Sequence, residues 1–100
     1  MPLAHTRGMI HVLLSALVTI EGFAFKPAHL TVTAGDSVRF VNHDTEAHTV
    51  TSKDHRFDSG GMDTGAAWTY RFTQPGTYAY FCELHPYMTG TIVVVKRGGK

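Results

Sequence analysis

The stretch Gly76-Thr77-Tyr78-Ala79-Tyr80-Phe81-Cys82-Glu83-Leu84-His85-Pro86-Tyr87-Met88-Thr89-Gly90 decides how this chain is read. It begins on a Gln74-Pro75-Gly76 turn signal and runs as a β-type segment over Thr77–Cys82. A short loop follows, and a further β-type run spans Thr91–Lys96. Cys82, His85 and Met88 therefore lie three residues apart on one loop between two strands. A sulfur, a nitrogen and a second sulfur can converge there on one point.

Outward from this loop the chain is a succession of short β-type runs punctuated by turn residues. Val18-Thr19-Ile20 leads to Phe23-Ala24-Phe25, with Gly22 as a bulge, and Lys26-Pro27-Ala28 turns the chain. His29–Thr33 is a strand closed by Ala34-Gly35-Asp36. Ser37–Asn42 alternates, with Val38 and Phe40 facing one way and Arg39 and Val41 the other, as a half-buried strand does. His48–Ser52 and Trp68–Phe72 are further strands, separated by a polar, glycine-rich loop over 53–65. Trp68, Tyr70 and Phe72 read as core and sheet-surface residues. From Leu30 onward no apolar stripe recurs at helical spacing. The expected fold is all-β, a Greek-key antiparallel β-sandwich of seven to eight strands. There is no internal repeat and no low-complexity linker, so residues 1–100 read as a single domain. Its first 17 residues have two readings, an extra N-terminal strand or a vestigial signal-like segment. The apolar stretch Met9–Ile20, with Arg7 before it, suits either. It falls short of the ~18 residues that cross a bilayer, so no stable membrane insertion is expected.

An apolar share of 43% and a charged share of 17% suit an ordinary globular domain rather than a disordered one. The formal net charge is +1, and no basic run carries interleaved aromatics, so nothing points to nucleic acid as a partner. The Lys96–Lys100 tail reads as a frayed, solvated terminus.

One cysteine stands among seven histidines, so no intramolecular disulfide forms. Such a cysteine is an inert core thiol, a nucleophile or a metal ligand. Its loop favours the last reading. Thiolate with thioether is a soft donor pair that selects copper, and a thioether serves zinc poorly. Two imidazoles and one thiolate, with a weak axial methionine, is the blue-copper arrangement. The second imidazole must come from elsewhere, and His48 is the best candidate. It lies in Asn42-His43-Asp44-Thr45-Glu46-Ala47-His48-Thr49-Val50, where a strand resumes after a polar loop. Its main rival is the nearby His43. His43 and His55 otherwise read as solvated loop residues, and His5, His11 and His29 as structural or surface residues. Glu83 reads as an exposed rim charge, since a hard carboxylate suits copper poorly beside a thiolate.

At this point the chain resembles the cupredoxin family, and within it the amicyanins and their plastocyanin-like relatives. The resemblance covers roughly residues 18–96. It rests on Thr33-Ala34-Gly35-Asp36-Ser37-Val38, His48-Thr49-Val50, Pro75-Gly76-Thr77-Tyr78 and the loop Cys82-x-x-His85-x-x-Met88. The short spacing is the one typical of amicyanins. The resemblance implies His48, Cys82 and His85 as equatorial ligands of one copper ion and Met88 as the axial ligand. It implies one-electron transfer between Cu(II) and Cu(I), with the His85 ring as electron port. Redox partner proteins would dock transiently near His85, Pro86 and Tyr87, with Met62 as a further member of that patch. It also implies a periplasmic or extracellular location, and the chain is expected to be a monomer. In the reduced state the short loop implies that His85 detaches and takes up a proton at mildly acidic pH. One departure stands out. Many members carry Asn after the first ligand histidine, where its side chain ties the two ligand-bearing loops together and its N–H points at the cysteine sulfur. Here that residue is Thr49, whose hydroxyl could replace the amide in part.

Other classes stay open on the same residues. A copper chaperone or store would use the same ligands without a redox role, though such proteins often rely on exposed Met and His clusters that are not obvious here. Multicopper enzymes need more domains and His-x-His pairs, and this chain has neither, so no enzyme is expected. A Cys/His nucleophile would need an oxyanion-hole motif beside Cys82, which is missing. A metal-free interaction module would have no use for the full ligand set.

Overall fold

The computed structural model describes residues 16–98. Eight strands follow in chain order, and no helix occurs among the described residues: β1 Ala16–Ile20, β2 Phe25–Lys26, β3 His29–Thr33, β4 Ser37–Asn42, β5 Thr51–Ser52, β6 Ala67–Arg71, β7 Gly76–Phe81 and β8 Thr89–Val95. They form two four-stranded sheets, ordered β2-β1-β4-β6 and β3-β8-β7-β5. Of the first 17 residues, read either as an added strand or as a signal-like stretch, 1–15 lie outside the described residues. Ala16 and Leu17, at its end, begin β1.

The pairing is mixed. β7 pairs antiparallel with β8 and with β5, as β4 does with β6 and β1 with β2. However, β1 runs parallel to β4, and β3 parallel to β8. Alternation along a strand marks its buried face but says nothing of its neighbour's direction, so the sandwich was legible where these two pairings were not.

Period-two burial builds the core. In β4, Val38 and Phe40 are fully buried while Arg39 is exposed. In the facing sheet Tyr78, Tyr80, Ile92 and Val94 turn inward. Each such apolar side chain contributes roughly 1.5–3 kcal/mol on burial. The Tyr78 hydroxyl donates to the Gln74 carbonyl at 2.6 Å, a tyrosine corner that fixes how β7 starts.

Four local expectations are corrected. The strand expected over His48–Ser52 forms only at Thr51–Ser52, with His48 left as an isolated bridge. Gly22 is no bulge: Glu21–Ala24 is a tight turn, closed by the Glu21 N–H on the Ala24 carbonyl at 3.0 Å, with Gly22 and Phe23 both at positive φ. Phe23 therefore leaves the strand. The 53–65 loop is pinned to the core by buried Phe57 and Met62 and by an antiparallel bridge between His48 and Met62. Arg97 does not fray. Its Nε donates to the Ala34 carbonyl at 3.1 Å, against the β3–β4 turn.

Candidate metal centre

His48, Cys82 and His85 come together at one end of the sandwich, their ligand atoms within 4.8 Å of one another. The Cys82 sulfur faces Nδ1 of His48 at 3.7 Å and Nδ1 of His85 at 3.6 Å. Cys82 and His48 are fully buried, and His85 is partly exposed. Sequence spacing placed Cys82 and His85 together. The structure adds His48, while the rival His43 is exposed, as is His55.

The loop that carries three of these residues is built from nested turns. The Cys82 N–H donates to the Met88 carbonyl at 3.1 Å, the His85 N–H to the Cys82 carbonyl at 3.2 Å, and the Met88 N–H to the His85 carbonyl at 2.9 Å. Met88 is buried, and its residue closes the loop on which Cys82 and His85 lie.

Asn42 shapes the loop that carries His48. It is fully buried at the end of β4, and its amide donates to the carbonyls of Glu46 and Met62, each at 2.9 Å. Its side-chain oxygen accepts the Asp44 N–H at 2.9 Å. Asp44 is the functional residue that sequence reasoning missed. Its Oδ2 lies 2.8 Å from His48 Nε2, and its two oxygens accept the N–H groups of Gly22 at 2.7 Å and Phe23 at 2.9 Å. Desolvation pushes this carboxyl up, but the Phe23 and Gly22 N–H groups and the His48 ring outweigh it and hold it below its ordinary value of 3.8. An ionised carboxylate only accepts, so Nε2 carries the proton and Nδ1 presents a lone pair to the sulfur. Only a loop signal at Asp44 was visible in sequence, because its partners at 22 and 23 lie far away along the chain.

A carboxyl held low in the folded state contributes stability that is fully present above its unfolded pKa near 3.8. That stability is lost as pH falls through the lower folded value. Asp44→Asn is accordingly expected to lower the melting temperature of the metal-free protein at pH 6, and to narrow its gap from wild type below pH 4. Thermal melts across pH check this.

Thr49 supplies the link that its departure from asparagine put in question. Its N–H donates to the Cys82 sulfur at 3.3 Å. Its hydroxyl accepts the Glu83 N–H at 2.8 Å and bonds Thr51 Oγ1 at 2.9 Å. The hydroxyl therefore joins the His48 segment to the Cys82 loop. Thr49→Val keeps the sulfur contact and strands the Glu83 N–H, at an expected cost of about 1–3 kcal/mol. Denaturant unfolding measures it, and a change below about 0.5 kcal/mol, the scatter of ordinary surface substitutions, contradicts the link.

The donor set fits a trigonal ion. Bonds of about 2.3 Å to sulfur and 2.0 Å to nitrogen, about 120° apart, put S and N about 3.7 Å from each other, which is the separation seen on both sides of the sulfur. One thiol proton cannot satisfy two facing nitrogens, whereas one cation can. Glu83 is exposed on the rim, as expected. Met62 is buried at 3% exposure and so forms no part of a surface patch, where Leu84 and Tyr87 are the exposed apolar side chains of the ligand loop.

Comparison with known proteins places the fold. An amicyanin of Paracoccus versutus is 31% identical over 85 residues, which is 80% of this chain and 64% of the relative. The chain thus spans somewhat under two thirds of that relative's length. A solved structure of a copper(I) amicyanin variant superposes with a TM-score of 0.77 at 28% identity, over 81% of this chain and 82% of that one. A copper-containing nitrite reductase from Thermus scotoductus superposes with a TM-score of 0.78 at 31% identity, over 84% of this chain but 23% of its own, so the fold also occurs inside an enzyme. A cupredoxin-like domain model matches residues 14–94, nearly the whole described sandwich, and the chain belongs to that family.

Proposed function

We propose that this protein is a type 1 copper electron carrier, in which His48, Cys82, His85 and Met88 would hold the ion. The observation that carries the reading is the pair of imidazole Nδ1 atoms facing one buried sulfur at 3.6–3.7 Å. Copper, when bound, supplies a one-electron couple. The residues supply constancy. Asp44 fixes the His48 ring, the Thr49 N–H stabilises the thiolate, and three backbone bonds hold the Cys82–Met88 loop. Ligands held in one arrangement need little rearrangement as the charge on the site changes. His85, the partly exposed ligand, is the electron port. Partners dock transiently around His85, Pro86, Tyr87 and Leu84, a small patch suited to rapid release. The family resemblance supports a monomeric single domain working in the periplasm or outside the cell, without enzymatic activity of its own.

Voltammetry of the copper-loaded protein, with a competing copper(I) chelator added, tests the reading. The carrier gives a reversible one-electron wave and keeps its copper in both states. A chaperone or store loses copper to the chelator on reduction, and that outcome overturns the proposal. The short loop adds an expectation: the potential rises as pH falls below neutral, and a flat profile counts against release of His85 on reduction.

A further inference from the structure

Phe23 is the second residue of the two-residue turn that joins β1 to β2, a position where glycine is usual. Its φ is +56°, in the left-handed region, which a bulky side chain enters at a cost. Such strain persists only where the surroundings impose it. The ring, 37% exposed, meets His48 edge-on at 5.1 Å and 90°, and His85 at 5.0 Å and 86°. The two imidazoles lie 5.0 Å apart at 60°. One phenyl ring thus braces both. The two-residue turn closed between Glu21 and Ala24 imposes it, and Asp44 caps that turn, accepting the N–H groups of Gly22 and Phe23 while contacting His48 Nε2. The backbone under the Phe23 ring and the His48 ring share a single anchor.

His85 needs this brace more than His48 does. His48 is fully buried and tied to Asp44. Among the described residues no hydrogen bond restrains the outer nitrogen of His85, and its other aromatic neighbour, Tyr87, is 6.2 Å away and 70% exposed. Phe23 is the better-held of the two rings against it.

We propose that Phe23 is a positioning residue: it fixes the relative orientation of the two imidazoles and keeps His85 in the site. The proposal rests on the reading of those imidazoles as copper ligands. Edge-to-face aromatic contacts have defined geometry and are worth more than the area they bury.

The test compares wild type, Phe23→Ala and Phe23→Tyr at one neutral pH. From the copper(I)-loaded proteins, transfer to bathocuproine disulfonate is expected to be about tenfold faster for Phe23→Ala, the effect of losing two aromatic contacts. Phe23→Tyr, which keeps the ring, stays near wild type. The electron paramagnetic resonance spectrum of the Cu(II) form changes shape in Phe23→Ala and is restored in Phe23→Tyr. Melting of the metal-free proteins stays close to wild type, because Phe23 lies outside the core. Equal transfer rates with unchanged spectra overturn the proposal. So does a Phe23→Ala defect confined to the melting temperature, which is a structural role alone. If wild type shows no copper–thiolate band, the ligand reading fails, and NMR of the metal-free proteins decides the brace by itself. His85 ring resonances that are distinct in wild type and averaged in Phe23→Ala support it, and identical ones overturn it.

Discussion

Gly90→Ala is expected to destabilise the fold by about 3 kcal/mol, at the upper end of what overpacking costs. Gly90 sits directly opposite Tyr80 in the β7–β8 register. A Cβ at that position would lie 2.8 Å from Tyr80 Cε1 and closer still to Cζ and the hydroxyl. The ring cannot yield. Tyr80 is fully buried, with Phe25 at 4.8 Å on one side and Phe40 at 5.6 Å on another. The relief has to come from the backbone, by parting β7 from β8. That separation reaches the metal centre, since Tyr80 lies two residues before Cys82 and Gly90 two after Met88, and the Cys82 N–H bonds the Met88 carbonyl. The melting temperature of the metal-free protein should fall by roughly 12–24 °C, with weakened copper binding alongside. A fall of only a few degrees means that Tyr80 does not fill that space. Tyr80→Phe is the contrasting case. The hydroxyl has no hydrogen-bond partner among the described residues, and burial pushes the phenol pKa well above its ordinary value. Its removal should be neutral or mildly stabilising in the same melts.

Cys82→Ser is expected to abolish the copper centre while leaving the sandwich folded. The sulfur is where three contacts meet: Nδ1 of His48, Nδ1 of His85 and the Thr49 N–H. Serine matches the shape, but its hydroxyl does not ionise near neutral pH and is a hard donor, so the soft ligand that selects copper is gone. The loss in Cu(II) affinity should exceed the 10–100-fold typical of removing an outer partner of a metal ligand. Circular dichroism should remain that of a β-sandwich, because the loop is held by backbone bonds that the substitution does not touch. Competition with a chelator of known affinity measures the difference, and an affinity within threefold of wild type contradicts the ligand role.

Most strands were legible because they are short β-type runs with their own turn signals, and Ser37–Asn42 emerged at its observed bounds, whereas the run His48–Ser52 pairs only at Thr51–Ser52. The centre was legible because sequence spacing already puts Cys82, His85 and Met88 on one loop. What escaped depends on contacts across the fold. Asp44 acts on the turn at Gly22 and Phe23, which lie 22 and 21 positions away along the chain. Phe23 alternates convincingly with Phe25, and only the turn at Glu21–Ala24 rotates it onto the imidazoles. The demand for glycine at 90 appears only when Tyr80 is placed opposite it. Met62 looked like a surface residue because its loop is polar, and its bridge to His48 buries it.

The central claim is that one copper ion is bound through the Cys82 thiolate with His48 and His85. Visible absorption of the metal-free protein titrated with Cu(II) tests it most directly. The expected result is an intense blue or green thiolate-to-copper band that saturates at one equivalent and vanishes when ascorbate is added. Weak ligand-field absorption alone would mean that Cys82 is not a copper ligand, and would contradict it.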